Sequence, residues 1–543
     1  MSNDDHGGGA GYTDGPVDGN VDSRVRQLPS IFALGEMVKA QIGEEAIVVS
    51  ETISKAAVFY EKIRNTLEYD EEHLLRRNAI RRVLKRRLGV DVEASSLAKD
   101  LLTELIWARY LPNEEIPARM IDEVAVMLTT YEPLMATVPR TSAPGYYFNW
   151  LLDLLAHDVE SLLVPPSRED AFASFMFCVI QDHIEWKKGS LPEDQRELQL
   201  FLAVHRTLLK ADPGRLRARV FHLYHPEWRR GPSQEQITTL TNRLEETVRH
   251  IESQVTHPIS EPLSREVRRY AILFNVLIDV CAKNPDEFLE IVSSPEKLNS
   301  AVSKATEGRV KKFRSRLTRL VVRAVLFLFI TKMLLALALE FPYDLLISHE
   351  TSFMPLVINI AFPPFLLAFI GLSVRIPGKK NVKNIQSGVR AVVYGSKELK
   401  LVFKVKKPWS RSASGIFFNA LYGFTFLFTY GIIAWALGTI GFNIVSTLIF
   451  LFFLSLVTFF GIRIRRSIRE VYLDTGKPTI LGAFVDIFTL PIVRVGRWIS
   501  LRAPRVNVFL FFMDFIIEAP FKMAIEVIES WLAFMREKKE EVS

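Results

Sequence analysis

Cysteine is nearly absent: Cys178 and Cys281 are the only two among 543 residues. That excludes a disulfide framework and fits a reducing compartment for the first half. No Walker A glycine-lysine loop, strand-linked GxGxxG, HExxH or GxSxG occurs, which disfavours enzymes built on recognisable loops. Enzymes with dispersed residues stay open, but no catalytic, cofactor-binding or metal-binding residue is assigned. No alternating segment is long enough for a sheet, and no fixed-period repeat points to a solenoid. The stretch from Met1 to about Arg26 is Gly- and Asp-rich and lacks the charged and apolar regions of an export signal. With so little apolar surface it is expected to be disordered.

What the chain does have is four apolar runs in its C-terminal half. They are Leu320–Phe341, Phe353–Val374, Gly415–Leu437 and Phe442–Ile462. Each is long enough to cross about 30 Å of hydrocarbon. Charge is split as well. Residues 1–300 carry 35 basic and 46 acidic side chains, and the remainder carries 33 and 15. Basic residues flanking apolar spans point to anionic lipid headgroups as counter-charge.

Those basic residues fall on alternate sides of the runs. Arg309, Lys311, Lys312, Arg314, Arg316 and Arg319 precede the first, and Arg323 can snorkel back to them. Pro342–Ser352 has no Lys or Arg. The next loop, 375–414, is rich in both, whereas Gly438–Gly441 is an uncharged tight turn. Arg463, Arg465, Arg466 and Arg469 follow the fourth run. By the positive-inside rule both termini are expected in the cytoplasm of a cell (inner) membrane protein. Four buried helices of a soluble protein would show this alternation only by coincidence.

In the last seventy residues, Leu481–Val493 is short and interrupted by Asp486 and Pro491, and Arg494, Arg497, Arg502 and Arg505 follow. In Val506–Met535, Asp514, Glu518, Lys522 and Glu526 draw one polar stripe, and Pro520 is expected to divide the helix. A transmembrane pair would put the basic stretch outside. Interfacial helices with Trp498 and Trp531 at headgroup depth are therefore preferred.

From about Pro29 to Ser300 the periodicity is helical. Segments such as Ile53–Leu67, Leu97–Tyr110, Ile121–Leu134, Tyr147–Leu163, Leu198–Leu209, Ile237–Val255 and Val267–Ala282 repeat apolar residues at three and four. Ser190-Leu-Pro-Glu and Ser233-Gln-Glu-Gln resemble capping boxes. One β-hairpin is expected in the basic loop, with Arg390–Tyr394 and Lys400–Lys406 as strands.

Several residues are candidates for function. Lys332 lies near mid-bilayer, where a charge costs about 2.5–3.5 kcal/mol, so it should face other helices or a wet cavity. Asn359, Asn419, Thr425 and Asn443 are its candidate partners. A transport pathway and a structural hydrogen bond are both compatible with it, and the structural one is the commoner. Pro363-Pro364 breaks or kinks the second span. His183, His205, His222 and His225 with Cys178 and Asp182 contain metal-ligating types, but at no standard spacing. The helix Arg76–Arg87 is basic and amphipathic. It is either a docking face for membrane or nucleic acid or a face neutralised by the acidic domain around it. Without interleaved aromatics, nucleic acid is disfavoured.

The reading is all-α. Residues 1–28 are a disordered N-terminus, and 29–305 form a cytoplasmic helical domain. A four-span bundle occupies 306–475, with its basic cytoplasmic loop at 375–414. Amphipathic interfacial or membrane-embedded helices fill 476–543. The expected role is to anchor an interaction domain, with a protein partner on 29–305 and an anionic bilayer around the spans. Homo-oligomers are compatible with it. Transporter or channel is the first rival. A membrane enzyme acting on lipid near Asp486 or Asp514 is the second.

Overall fold

In the computed structural model the described residues are 21–32, 39, 41, 44–49, 74–88, 93–137, 145–187, 191–336, 338, 353–374, 378–395, 401–403, 413–467, 471–473 and 480–502. The chain is mostly helical. Two short turns, α1 (Ser23–Arg26) and α2 (Leu28–Ile31), precede α3 (Leu75–Arg87), α4 (Ala94–Trp107), α5 (Met120–Thr137), α6 (Tyr146–Leu163) and α7 (Ser167–His183). After β1 (Ile184–Trp186) come α8 (Glu193–Leu208), α9 (Pro213–Tyr224), α10 (Gln234–Asn242), α11 (Leu244–Val255), α12 (Ser260–Lys283) and α13 (Phe288–Ser293). The rest is α14 (Pro295–Leu335), α15 (Phe353–Leu372), α16 (Lys379–Val393), β2 (Leu401–Phe403), α17 (Ala413–Thr439), α18 (Ile444–Ser467) and α19 (Ile480–Arg502).

Two compact units emerge. One takes its described residues from Gln27–Asp182 and Leu191–Val267, the other from Met1–Arg26, His183–Ser190 and Arg268–Val506.

In the first of these, α6 is central and packs on α3, α5 and α9. Residues such as Trp150, Leu151, Leu154, Leu155 and Val159 are buried on more than one side of it. An apolar surface all round suits a helix enclosed by others. Polar residues of α6 are buried too, and arginines hold them. Asp153 pairs with Arg81 of α3 at 2.6 Å and Arg217 of α9 at 3.5 Å. Glu160 faces Arg215 at 3.6 Å. Arg77 forms two hydrogen bonds of 2.7 Å to Asp212, which also caps α9 through the Gly214 and Arg215 amides. Burial pushes the Asp212 carboxyl up, but the hydrogen bonds and charge of Arg77 outweigh it and hold it below the ordinary range. The Ser233 capping box forms as expected. Ser190 lies outside the described residues, and α8 starts at Glu193 with Pro192 in the cap position. Ile237–Val255 is two helices, broken at Arg243. Ile53–Leu67 lies outside the described residues.

In the other unit, three helices are long and apolar enough to cross a membrane: Met354–Leu372, Asn419–Thr439 and Ile444–Arg465. They coincide with the second, third and fourth apolar runs. The first run belongs to α14, a continuous helix of 41 residues, about 62 Å long. Its described apolar part ends at Leu335 and contains Arg323 and Lys332. Continuation to Phe341 lies outside the described residues, as does Pro342–Ser352. Side by side, α14 packs on α15, α15 on α18, α18 on α19, and α19 on α17.

Three expectations are corrected here. The hairpin does not form: Arg390–Val393 closes α16, and β2 pairs in parallel with β1, Leu401 opposite Ile184. Alternation in a short stretch does not name its partner, and the amphipathic period of 379–393 overrides the β-branched residues at its end. The N-terminus is ordered from Val21, well before residue 28. The Asp22 amide donates to the Val393 carbonyl at 2.8 Å, and Val25 is fully buried. Lastly, α19 is one helix through Pro491 and through Arg494 and Arg497. An ideal Cβ on Gly496 would lie 2.0 Å from the Ser455 carbonyl oxygen, halfway along α18. At Gly496, α19 thus packs closely on α18, and 506–535 lies outside the described residues.

The first unit should respond to acid. Burial pushes His157 and His205 down to about 3. An unfolded histidine titrates near 6.5, so below that pH the unfolded chain binds more protons, and stability falls as pH drops towards 3. The expected loss between pH 7 and pH 5 is about 2 kcal/mol per histidine. Melting in detergent across that range checks it, and His205→Leu should remove about half of the dependence. A melting temperature flat in pH would contradict it.

Candidate functional site

Lys332 is the most unusual residue among the apolar helices, and its side chain is fully buried. It projects from α14 towards α15 and α18. Its ammonium donates to Asn359 Oδ1 at 2.8 Å and sits 4.3 Å from the ring centroid of Phe453. Asn359, itself fully buried, donates from Nδ2 to the Ser446 carbonyl at 3.4 Å. One lysine thus ties three helices through a charge-assisted hydrogen bond, a cation–π contact and an amide relay.

Pro363 and Pro364 lie one turn beyond Asn359, and α15 continues through both. Each lacks the amide hydrogen that would bond four residues back.

Of the four candidate partners, Asn359 meets the ammonium. Asn443 accepts from the Ser446 amide at 2.7 Å, Thr425 donates to the Tyr422 carbonyl at 2.9 Å, and Asn419 is exposed.

The histidines do not assemble into a metal site: among the described residues no group of three His, Cys, Asp or Glu is placed to hold an ion. His222 instead lies with Nε2 2.7 Å from Asp158 Oδ1, and Tyr131 donates to Asp158 Oδ2 at 2.5 Å. Burial first, then the charge of Asp158, pushes the Tyr131 phenol well above its ordinary range. It stays a donor. All three side chains are buried, beneath Trp228, whose ring meets that of Tyr131 edge-on at 5.6 Å. This trio ties α5, α6 and α9 from within. Sequence reading singled out His222 but not its partners, because Tyr131 and Asp158 lie on other helices with no local signal.

The basic helix α3 is neutralised by its own unit. Arg77, Arg81 and Arg86 pair with Asp212, Asp153 and Glu104, and Arg87 with Asp100. Arg76 donates to the Tyr110 carbonyl at 3.1 Å. The bland reading of this helix, a face balanced by acidic neighbours, is the one observed. Asp486 lies on α19, and Asp514 lies outside the described residues.

No known protein family, curated protein or solved structure matches the chain.

A double-mutant cycle tests the Lys332 centre. Lys332→Met alone leaves Asn359 without its cation, and Asn359→Leu alone strands a buried charge. Their coupling energy, from unfolding in mixed micelles, is expected to be about 1.5–3 kcal/mol. Strictly additive effects would contradict the contact.

Proposed function

We propose that the chain anchors a helical interaction domain at a membrane. The observation that carries this reading is the Lys332 centre. The most polar group among the apolar helices is fully buried and bonded to Asn359. A transport pathway requires polar groups that water or substrate can reach. Polar atoms here serve helix packing, which is what an anchor needs.

The other unit supplies the domain to be anchored. It has its own apolar core, running from Val49 to Val255. On its surface Tyr146 and Tyr224 are 45% and 42% exposed, and Leu223 is 58% exposed. Exposed aromatic side chains are what protein interfaces favour. In this reading the basic helix ends and both termini face the cytoplasm, by the positive-inside rule. The chain crosses four times, with α14 making the first crossing, and α19 is embedded beside α18. The partner binds within 29–305.

The test is affinity purification of the full chain from mild detergent. A protein is expected to copurify at fixed stoichiometry and to be lost with Tyr224→Arg or Tyr146→Arg. Absence of any retained protein, together with solute flux in vesicles that depends on Lys332, would replace the anchor with a transporter.

A further inference from the structure

Two basic helices drew attention in the sequence, and the structure separates them. Helix α3 spends its arginines on carboxylates of its own unit. Helix α14 does not. Lys312, Arg319 and Arg323 are exposed, and among the described residues no carboxylate pairs with them. With Arg316, also exposed, they follow one another at intervals of four, three and four. That spacing puts all four on one helix face. The positions of α14 turned towards its neighbours, Phe313, Val321, Leu328 and Lys332, lie on another.

The same outer face then changes character within about one turn. Beyond Arg323 it continues as Phe327, Ile330 and Leu334, which are 72%, 51% and 58% exposed. A cationic stripe running directly into an exposed apolar stripe on one uninterrupted helix is the profile of a helix passing from headgroups into hydrocarbon.

We propose that the outer face of α14 binds the phosphate-bearing headgroups of anionic phospholipids through the ladder Lys312–Arg316–Arg319–Arg323. About 16 Å separates the first rung from the last, so the ladder meets more than one headgroup. Continuity with the apolar face selects lipid over nucleic acid or an acidic protein, for which no apolar continuation is needed. This rests on the membrane reading and gives the anchor a lipid preference.

The full chain is reconstituted into phosphatidylcholine vesicles containing a minor share of phosphatidylglycerol. It is then re-extracted in mild detergent, and the retained lipids are counted by mass spectrometry. Phosphatidylglycerol is expected to be enriched over its share of the vesicle. The triple variant Lys312→Gln/Arg319→Gln/Arg323→Gln should lose that enrichment, by about fivefold in lipid affinity per charge removed. The charge-conserving Lys312→Arg/Arg319→Lys/Arg323→Lys should keep it. Both should melt like the parent in phosphatidylcholine alone, since the side chains are exposed. Retained lipids in the bulk ratio, or undiminished enrichment in the Gln variant, would overturn the proposal. So would an oligonucleotide or acidic peptide binding the same residues in preference to the lipid. Carbonate washing separates the two readings: a chain that washes off defeats the membrane assignment, whereas a retained chain without lipid preference defeats the ladder alone.

Discussion

A charge withdrawn from water must find an opposite charge or a set of oriented dipoles, and this requirement organises both units. An uncompensated buried ion costs several kcal/mol, a large share of the margin by which most domains are stable. In the helical unit around α6 the answer is ion pairing: arginines of α3 and α9 close on Asp153, Glu160 and Asp212. Among the apolar helices the answer is dipoles: the Asn359 side chain and the Phe453 ring receive the Lys332 ammonium.

On the proposed membrane reading, the same requirement explains why α14 can be continuous. A helix satisfies its own backbone in water and in lipid alike, so it can pass from one to the other without a break. Only its side chains must change. On its outer face they do so between Arg323 and Phe327, while Lys332 on the inner face is enclosed by neighbours. Farther along, α16 packs on the same unit. Gly388 admits Leu273 so closely that a Cβ would lie 2.7 Å from its methyl group, and Gln386 donates to the Asn299 carbonyl at 3.0 Å. The stretch Lys379–Val393 of the basic loop is therefore packed helix, with Lys379, Lys380 and Lys383 exposed.

Legibility in the sequence followed the range of the physics. Composition over twenty residues marked the three apolar helices, because burial in lipid demands an unbroken apolar surface. Periodicity located α4, α5, α6 and α8, and the Ser233 cap was visible because its partner lies three residues away. Lys332 stood out as a lone charge in an apolar run. What stayed hidden was long-range pairing. Nothing near Ile184 or Leu401 names the other as its strand partner. Asp158 joins Tyr131 and His222 from three helices. The close approach of α19 to α18 depends on Gly496 meeting a single carbonyl of α18, which no local pattern records.

The central claim is that α14, α15, α17 and α18 cross a bilayer with their basic ends on the cytoplasmic side. Single cysteines at Lys312 and at Ile440, each introduced into a chain with Cys178 and Cys281 replaced by serine, test it most directly. In sealed cells a membrane-impermeant maleimide is expected to label the Ile440→Cys chain and to reach the Lys312→Cys chain only after permeabilisation. Labelling of Lys312→Cys from outside, or equal labelling of both before permeabilisation, would contradict the account.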